Sequence, residues 1–340
     1  MSNQVLTPGP LLDARGHLVE AGWAPSEIRK YQRSAVQAPK FRLKEWDYYC
    51  VLTPDYGIAL TVADNGYMGL LGVSWLDFAT PHEVTESVML PFPMGKLGLP
   101  GSADSGDVVV SKGKARFEFR HVDGGRRVVV DYPAFDGGKG FSADLFLQSP
   151  ADDRMVIATP FPKAPRSFYY NQKINCLPAR GTVRVGGQEF AFAPEDAFGV
   201  LDWGRGVWTY DNTWYWGSAS GLVNGERFGF NIGYGFGDTS AASENIVFVN
   251  GVAHKLDRLE FELPTGTYDG APWKFTSNDG RFEMKFEPII DRAATFNVGV
   301  LRSIQHQVFG KFSGTVVLDD GSTVAVHDLL GFAEEVRNRW

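Results

Sequence analysis

The segment Leu201–Trp208 (LDWGRGVW) brings an acid, a base and two indoles together in a short stretch of chain. An aspartate surrounded by indole rings loses contact with water, which favours its protonated form and makes Asp202 a candidate proton donor. Indole faces also stabilise positive charge, so Trp203 and Trp208 are candidate walls of the site. This combination suits acid-initiated chemistry on an apolar substrate. The alternative is a local ion pair between Asp202 and Arg205; otherwise Arg205 is a candidate ligand-binding residue.

A second polar and aromatic group lies in the segment 213–236, which reads as two strands joined by a tight turn at Asn224-Gly225. This turn places two indoles, a serine, an asparagine and a glycine on one face, namely Trp214, Trp216, Ser218, Asn231 and Gly233. The face predicts a cavity wall on which the two indoles are apolar and the serine and asparagine orient a ligand. We also expect the indole of Trp216 to cover Gly233. A packed core with no cavity is the alternative, and it stays open.

A turn at Asp320-Gly321 joins the last two predicted strands. The register that this turn sets places Gly314 opposite His327 and His306 close to Glu335. A histidine beside a carboxylate can serve as a general acid or base, so His306 and Glu335 are further catalytic candidates. An exposed salt bridge at the strand end would explain the same pair.

Three other polar residues lie in strand-like surroundings and are candidate ligand-binding residues: Glu244, Asn245 and Asn171. Turn or edge positions would explain them equally well. No GxSxG, GxxxxGK[ST] or HExxH motif is present, and the histidines show no metal-ligand spacing. We therefore expect neither a cofactor nor a metal, and a metal site assembled from distant residues is the alternative. Two distant cysteines, Cys50 and Cys176, are expected to be reduced and buried.

The composition indicates which kind of protein must position these residues. Nine Trp, twelve Tyr and twenty-five Phe, together with 39 Gly, are typical of many strands joined by tight turns. A net charge of -7 argues against a nucleic-acid partner. No leader pattern and no apolar run long enough to span a bilayer is found, so we expect a cytoplasmic protein without stable membrane insertion.

The chain length of 340 residues suggests two domains. Asn-Gly and Asp-Gly pairs recur along the chain as hairpin signals, and long helical periodicity is almost absent. We therefore predict an all-β protein with two antiparallel, lipocalin-like barrels or sandwiches and little helix. The expected divisions are an irregular arm over residues 1–40, an N-terminal domain over 41–190 and a C-terminal domain over 191–340.

Six segments resemble the bacterial and fungal family catalogued as domain of unknown function 2804: Tyr170–Asn175, Leu201–Gly206, Asn212–Gly217, Ser243–Asn245, His306–Gly310 and Gly331–Glu334. More distantly, the Asp-Trp segment and the closing Gly-Phe-Ala-Glu are similar to calycin-type, two-barrel proteins that include carotenoid hydratases. That resemblance implies paired lipocalin-like barrels and a hydrophobic ligand.

Three hypotheses for the function follow. The first is an enzyme of the lyase, hydratase or isomerase type that acts on a lipid-, terpenoid- or polyketide-like molecule. The second is a non-catalytic binder of such a hydrophobic small molecule, and the third is a structural or interaction module. A buried, perturbed carboxyl that faces a cavity favours the first, an apolar cavity without one favours the second, and the lack of a cavity favours the third.

Overall fold

The computed structural model describes residues 3–340 and confirms the all-β prediction. Two large curled antiparallel sheets account for most of the chain, one a nearly closed barrel and the other a half-barrel. No helix within residues 3–340 is long and apolar enough to cross a membrane.

In the described part of the N-terminal arm, from residue 3 onward, the elements are short. These are β1 (Gly9–Pro10), β2 (Gly22–Ala24), β3 (Arg29–Lys30) and two 3-10 turns at Arg33–Ala35 and Lys40–Arg42. Strand β1 pairs in parallel with β3, and β2 joins the edge of the first large sheet. Leu6, Leu11 and Leu12 of the arm are buried in the core of that sheet. The prolines thus leave the arm irregular, and apolar contacts hold it against the barrel.

The first sheet is built from the strands that follow. They are β4 (Leu43–Leu52), β5 (Tyr56–Asp64), β6 (Met68–Asp77), β7 (His82–Pro91), β8 (Val108–Lys112), β9 (Ala115–Val122), β10 (Gly125–Tyr132), β11 (Phe141–Gln148), β12 (Met155–Pro160), β13 (Phe168–Val185), β14 (Gln188–Phe192) and β15 (Phe198–Val207). A short helical turn, α1, spans Phe135–Gly138. The main strand order is β7-β6-β5-β4-β15-β13-β11-β10-β9-β8, so most strands pair with their sequence neighbours.

The second sheet contains the remaining strands. They are β16 (Asp211–Val223), β17 (Glu226–Tyr234), β18 (Ile246–Val249), β19 (Val252–Lys255), β20 (Leu259–Glu262), β21 (Trp273–Ser277), β22 (Phe282–Val298), β23 (Leu301–Val317) and β24 (Thr323–Arg339). Their order is β19-β18-β17-β16-β24-β23-β22-β21-β20, in which β24 returns to pair with β16. This pairing brings the closing strand of the chain next to the Trp-rich strand.

The division into domains near residue 190 remains a proposal, and the sheet pairings suggest a later boundary. The glycine-rich stretch around Gly186-Gly187 forms the turn of a hairpin between β13 and β14, inside the first sheet. Strand β15 then pairs with both β4 and β13. The chain passes to the second sheet only between Val207 and Asp211, and we place the boundary there.

The register predicted for the hairpin at Asn224-Gly225 is the one that the structure shows. Trp216 opposes Gly233 and Ser218 opposes Asn231, as the turn at Asn224-Gly225 predicts. Both turn residues have positive φ, 54° and 82°, which Asn and Gly tolerate.

In the last hairpin, His306 does oppose Glu335, but Gly314 faces Val326, and the predicted partner His327 is wrong. The register shifts by one residue between Phe312 and Gly314, and Asp328 on the opposite strand has a φ of 51°. Beyond this bulge, the strands pair in the register that the predicted two-residue turn at Asp320-Gly321 would have given, which is why His306 still opposes Glu335.

Separate apolar cores fill each sheet and the space between the sheets. Phe117, Leu145 and Trp203 belong to the first core, and Phe230 and Phe312 to the second. Between the sheets, Tyr48 of β4 packs near Trp216 of β16, Phe309 of β23 and Phe332 of β24. The two sheets therefore meet through side chains, and a cavity lies at the same interface.

Candidate functional site

A cavity of about 450 Å³ lies between the two sheets. Its size is within the usual range for pockets that take a small organic molecule. One wall is the outer face of β4–β7, and the other is the face of β16 and β22–β24 that carries alternate residues such as Trp214, Trp216 and Glu334. An interface between two sheets is thus the place where this fold leaves room for a ligand.

Aromatic rings form the apolar part of the cavity wall. Trp208 contacts Trp46, Trp214 and Phe236 with ring centroids 5.3, 5.8 and 4.7 Å apart, mostly edge to face. Gly204 makes room for this cluster, because a Cβ at that position would lie 1.9 Å from the ring of Trp46. Interlocked rings of this kind form a rigid apolar surface.

Glu334 is a buried acid in the cavity wall whose carboxyl is held by two hydrogen bonds. It is 4% exposed, and its carboxyl accepts hydrogen bonds from Trp214 Nε1 at 3.0 Å and from Gln307 Nε2 at 3.1 Å. The hydroxyl of Tyr48 in turn donates to Oε1 of Gln307 at 3.2 Å. Burial raises the pKa of Glu334 to about 7, although the bond from Trp214 and the charge of Lys173 oppose the shift. Near neutral pH this carboxyl can therefore hold or release a proton.

Glu244 is a second buried acid that lines the same cavity. It lies between β17 and β18, beside Gly233, where a Cβ would approach its Oε2 to 3.8 Å. Burial raises the pKa of Glu244 to about 7; the charge of Lys173 opposes this shift and the charge of Asp202 adds to it. Two acids that titrate near pH 7 can supply one proton donor and one acceptor.

Asp202 lines the cavity as well, and it is held by a lysine. Its Oδ1 lies 3.0 Å from Nζ of Lys173 and accepts a bond from Nδ2 of Asn171 at 2.6 Å. The Lys173 ammonium also lies 3.7 Å from the centre of the Trp216 ring, a cation–π contact. Asn171 therefore positions Asp202, and the ion pair with Arg205, which was the alternative for Asp202, is absent from residues 3–340.

Arg205 and Trp203 are not part of the cavity wall, contrary to expectation. Successive residues of a strand point to opposite faces, so both side chains enter the first barrel while Asp202 faces the cavity. Arg205 forms an ion pair with Asp47 at 3.0 Å and donates to the carbonyl of Pro100. Its guanidinium lies over the Trp203 ring at 4.0 Å. These residues hold the barrel together.

Ser218, Asn231 and Asn245 bind the chain itself at the positions where a ligand was expected. Ser218 accepts from Asn175, and Oδ1 of Asn231 accepts from Trp216 Nε1 at 2.7 Å. Asn245 accepts from the backbone N–H of Gly233 at 2.8 Å. The indole of Trp216 does not cover Gly233; it packs instead on Phe332, with centroids 4.7 Å apart. Of the predicted wall residues, Trp208, Trp214 and Trp216 do line the cavity.

His306 and Glu335 lie on the face of the sheet opposite to that of Glu334. Within residues 3–340, no hydrogen bond or ion pair joins their side chains. Nδ1 of His306 lies 2.8 Å from Oδ2 of Asp291, and its ring stacks on Tyr268 at 3.9 Å. Glu335 accepts hydrogen bonds from Tyr215 at 3.0 Å and from Tyr268. Strand pairing brings the two backbones together, but other partners take both side chains.

The family resemblance read from the six sequence segments is confirmed by a family model described as domain of unknown function (DUF2804), which matches residues 2–340. The chain belongs to the DUF2804 family. A search of curated protein sequences finds no match.

Several solved structures are similar to this DUF2804 chain. A protein from Nitrosomonas europaea assigned as AttH is 14% identical, with a TM-score of 0.55 over 92% of this chain and 98% of that one. Kievitone hydratase from Nectria haematococca is 12% identical, with a TM-score of 0.49 over 87% of this chain and 88% of that one. CghA with Sch210972 is 11% identical, with a TM-score of 0.49 over the same shares. At such identities the likeness to AttH shows a shared fold alone.

Three charged residues of the cavity in this DUF2804 chain were not recognised as site residues from the sequence: Lys173, Arg292 and Glu334. Each lies far along the chain from Asp202, so no local motif connects them. A signal was available for two of them, because Lys173 and Glu334 belong to segments that carry the family resemblance. Arg292 has no such signal, since it lies in a long strand without a recognisable motif.

Proposed function

We propose that this DUF2804 protein is an enzyme of the lyase, hydratase or isomerase type that transfers protons to and from an apolar small molecule in the inter-sheet cavity. One observation carries the proposal: two buried carboxyls, Glu334 and Glu244, face the same aromatic cavity and have pKa values raised to about 7. A carboxyl of this kind keeps its proton near neutral pH and can donate it to an alkene or enol. Its ionised counterpart can remove a proton from the same molecule.

The roles follow from the contacts. Glu334 is the proposed principal acid, because hydrogen bonds from Trp214 and Gln307 fix its orientation. Glu244 is the proposed second acid–base group. Asp202 and Lys173 form a fixed ion pair beside them, and the face of Trp216 supports the positive charge of Lys173.

Native mass spectrometry of the protein purified from its own host would identify a bound small molecule. That molecule is then incubated with the parent and with Glu334→Gln, Glu244→Gln and the exposed control Glu287→Gln. We expect Glu334→Gln to lower turnover about 100-fold or more while binding is kept, since the amide keeps the shape and loses the acidic proton. The control should match the parent.

Two results would contradict the enzyme proposal. If the bound molecule is unchanged after incubation with the parent, the non-catalytic binder describes the protein better. If Glu334→Gln and Glu244→Gln both turn over at the parental rate, the cavity carboxyls are not the catalytic groups. A structural or interaction module without a ligand is disfavoured by the cavity itself.

A further inference from the structure

Arg292 is a cation at the cavity wall whose charge no acid of the described chain neutralises by direct contact. It lies on β22 and lines the cavity. Its Nη1 donates to the hydroxyl of Ser74 at 2.7 Å, and that hydroxyl also accepts from Thr85 at 2.8 Å. Within residues 3–340, no carboxylate lies at ion-pair distance from its guanidinium. A guanidinium has five N–H donors and stays charged, so most of its binding capacity is unused.

The strand register places this cation in a row with the proposed acid. Arg292 opposes Gln307, and Gln307 opposes Glu334 on the next strand. The row ends at Trp216, which opposes Glu334. Directly opposed residues of an antiparallel pair share a face, and all four residues line the cavity. At about 4.8 Å per strand, the backbones of Arg292 and Glu334 are roughly 10 Å apart.

Glu334 does not neutralise Arg292, because other donors hold its carboxyl. Trp214 and Gln307 donate to its two oxygens, and Gln307 stands between the acid and the cation. The charge of Arg292 still reaches Glu334, since it opposes the upward shift of the Glu334 pKa. The cavity therefore has a free cation at one end of the row and a protonatable acid with an indole at the other.

We infer that Arg292 forms a subsite for a carboxylate, so that the cavity takes an apolar carboxylic acid whose body lies along Glu334 and Trp216. Guanidinium and carboxylate match in geometry and form paired, charge-assisted hydrogen bonds. Such a pair would fix the molecule in one direction and hold a chosen carbon next to Glu334. The inference rests on the cavity being the ligand site of the proposed function.

A matched pair of probes tests the subsite. Cis-parinaric acid and its methyl ester have the same apolar body and differ in the carboxylate, and their binding can be followed by energy transfer from the cavity indoles. We expect the parent to bind the acid at least about ten-fold more tightly than the ester at pH 6. Arg292→Gln should weaken acid binding to the level of the ester and leave ester binding unchanged. Arg302→Gln, an exposed change in the same hairpin, should keep the preference.

The outcomes separate the subsite from the cavity. If the parent binds acid and ester equally, or if Arg292→Gln keeps the preference, Arg292 is only a link between the sheets through Ser74 and the inference fails. If the parent binds neither probe, the cavity itself fails as an apolar ligand site, and the proposed function with it. Should Arg292→Gln not fold, Arg292→Met replaces it and has the same outcomes: loss of the acid preference supports the subsite, and a kept preference overturns it.

Discussion

The indole Nε1 of Trp214 donates a hydrogen bond of 3.0 Å to Oε1 of Glu334. This bond lowers the pKa of Glu334 against the larger effect of burial. The neighbouring strands β16 and β24 that carry the two residues come from opposite ends of the second half of the chain. The acidity of the proposed catalytic group therefore depends in part on a contact that forms only when β16 pairs with β24.

Removal of that bond should make Glu334 a weaker acid. We expect Trp214→Phe to raise the pKa of Glu334 above its parental value of about 7, because burial then acts with less opposition. Carboxyl titration by carbon-13 NMR measures the change. Glu244 is the internal control, since Trp214 does not contribute to its shift. An unchanged or lower pKa for Glu334 would show that the bond does not act on the acid.

The two acids should also make folding stability depend on pH. Their pKa is about 7 in the folded chain and about 4.5 ordinarily, so the unfolded chain loses these protons first. Stability from these groups is therefore present below pH 4.5 and falls as the pH rises to 7. We expect the free energy of unfolding of Glu334→Gln, relative to the parent, to rise by on the order of 2 kcal/mol between pH 5 and pH 7.5.

Urea denaturation at the two pH values measures this difference. Glu244→Gln should behave in the same way, and the exposed Glu287→Gln should show a constant difference from the parent. If the difference for Glu334→Gln does not change with pH, the carboxyl ionises alike in the folded and unfolded chain.

Loss of the negative charge of Asp202 should change the pKa of both Glu244 and Glu334. This charge raises the pKa of Glu244 and of Glu334, so Asp202→Asn should lower both values. The change also leaves the Lys173 ammonium without its counter-ion, which adds to the downward shift and destabilises the fold. Carboxyl NMR reports the shift, with Asp211→Asn as an exposed control. Unchanged pKa values for Glu244 and Glu334 would show that the charge of Asp202 does not affect these two acids.

Arg205 should matter for folding more than for ligand binding. It is fully buried and donates to Asp47, to the carbonyls of Pro100 and Trp46, and to its neighbour Gly204. We expect Arg205→Met to cost about 3–5 kcal/mol, because Asp47 is left as an unpaired buried charge. Arg205→Lys should also destabilise the chain, since a lysine cannot reach all these acceptors. A denaturant midpoint for Arg205→Lys equal to that of the parent would contradict this role.

Gly233 should tolerate no side chain. A Cβ there would lie 2.8 Å from the backbone carbonyl of Tyr215, and the N–H of Gly233 is bound by Asn245. We expect Gly233→Val to destabilise the protein by roughly 1–3 kcal/mol through overpacking. Gly72→Ala is the milder control, because its Cβ would meet no atom closer than 3.3 Å. Equal denaturation midpoints for Gly233→Val and the parent would show that the strand can shift.

The fold was predictable where the chain carries local signals. The Asn224-Gly225 turn has two residues of positive φ, which fixes the register of every pair along β16 and β17. The last hairpin shows the limit of this reasoning. The turn itself is one residue wider than predicted, and the bulge near Asp328 compensates for it, so the predicted pairing of His306 with Glu335 was right. No sequence signal marks that bulge.

The candidate site was predictable only in part, because its charges come from distant strands. The indoles of Trp208, Trp214 and Trp216 were found from their spacing. The pairing of Asp202 with Arg205 was wrong for a reason that the sequence contains: residues three apart on a strand point to opposite faces. The actual partner, Lys173, lies on β13 and becomes a neighbour only through the pairing of β13 with β15.

The cavity between the sheets also makes a bound molecule a bridge between two halves that no strand pair joins within residues 3–340. Tyr48 and Asp202 belong to one sheet, and Trp216 and Glu334 to the other, so melting either half dismantles the binding surface. Because the molecule binds only while both halves are folded, its free energy of binding couples their unfolding, and a higher ligand concentration raises the melting temperature of both halves together.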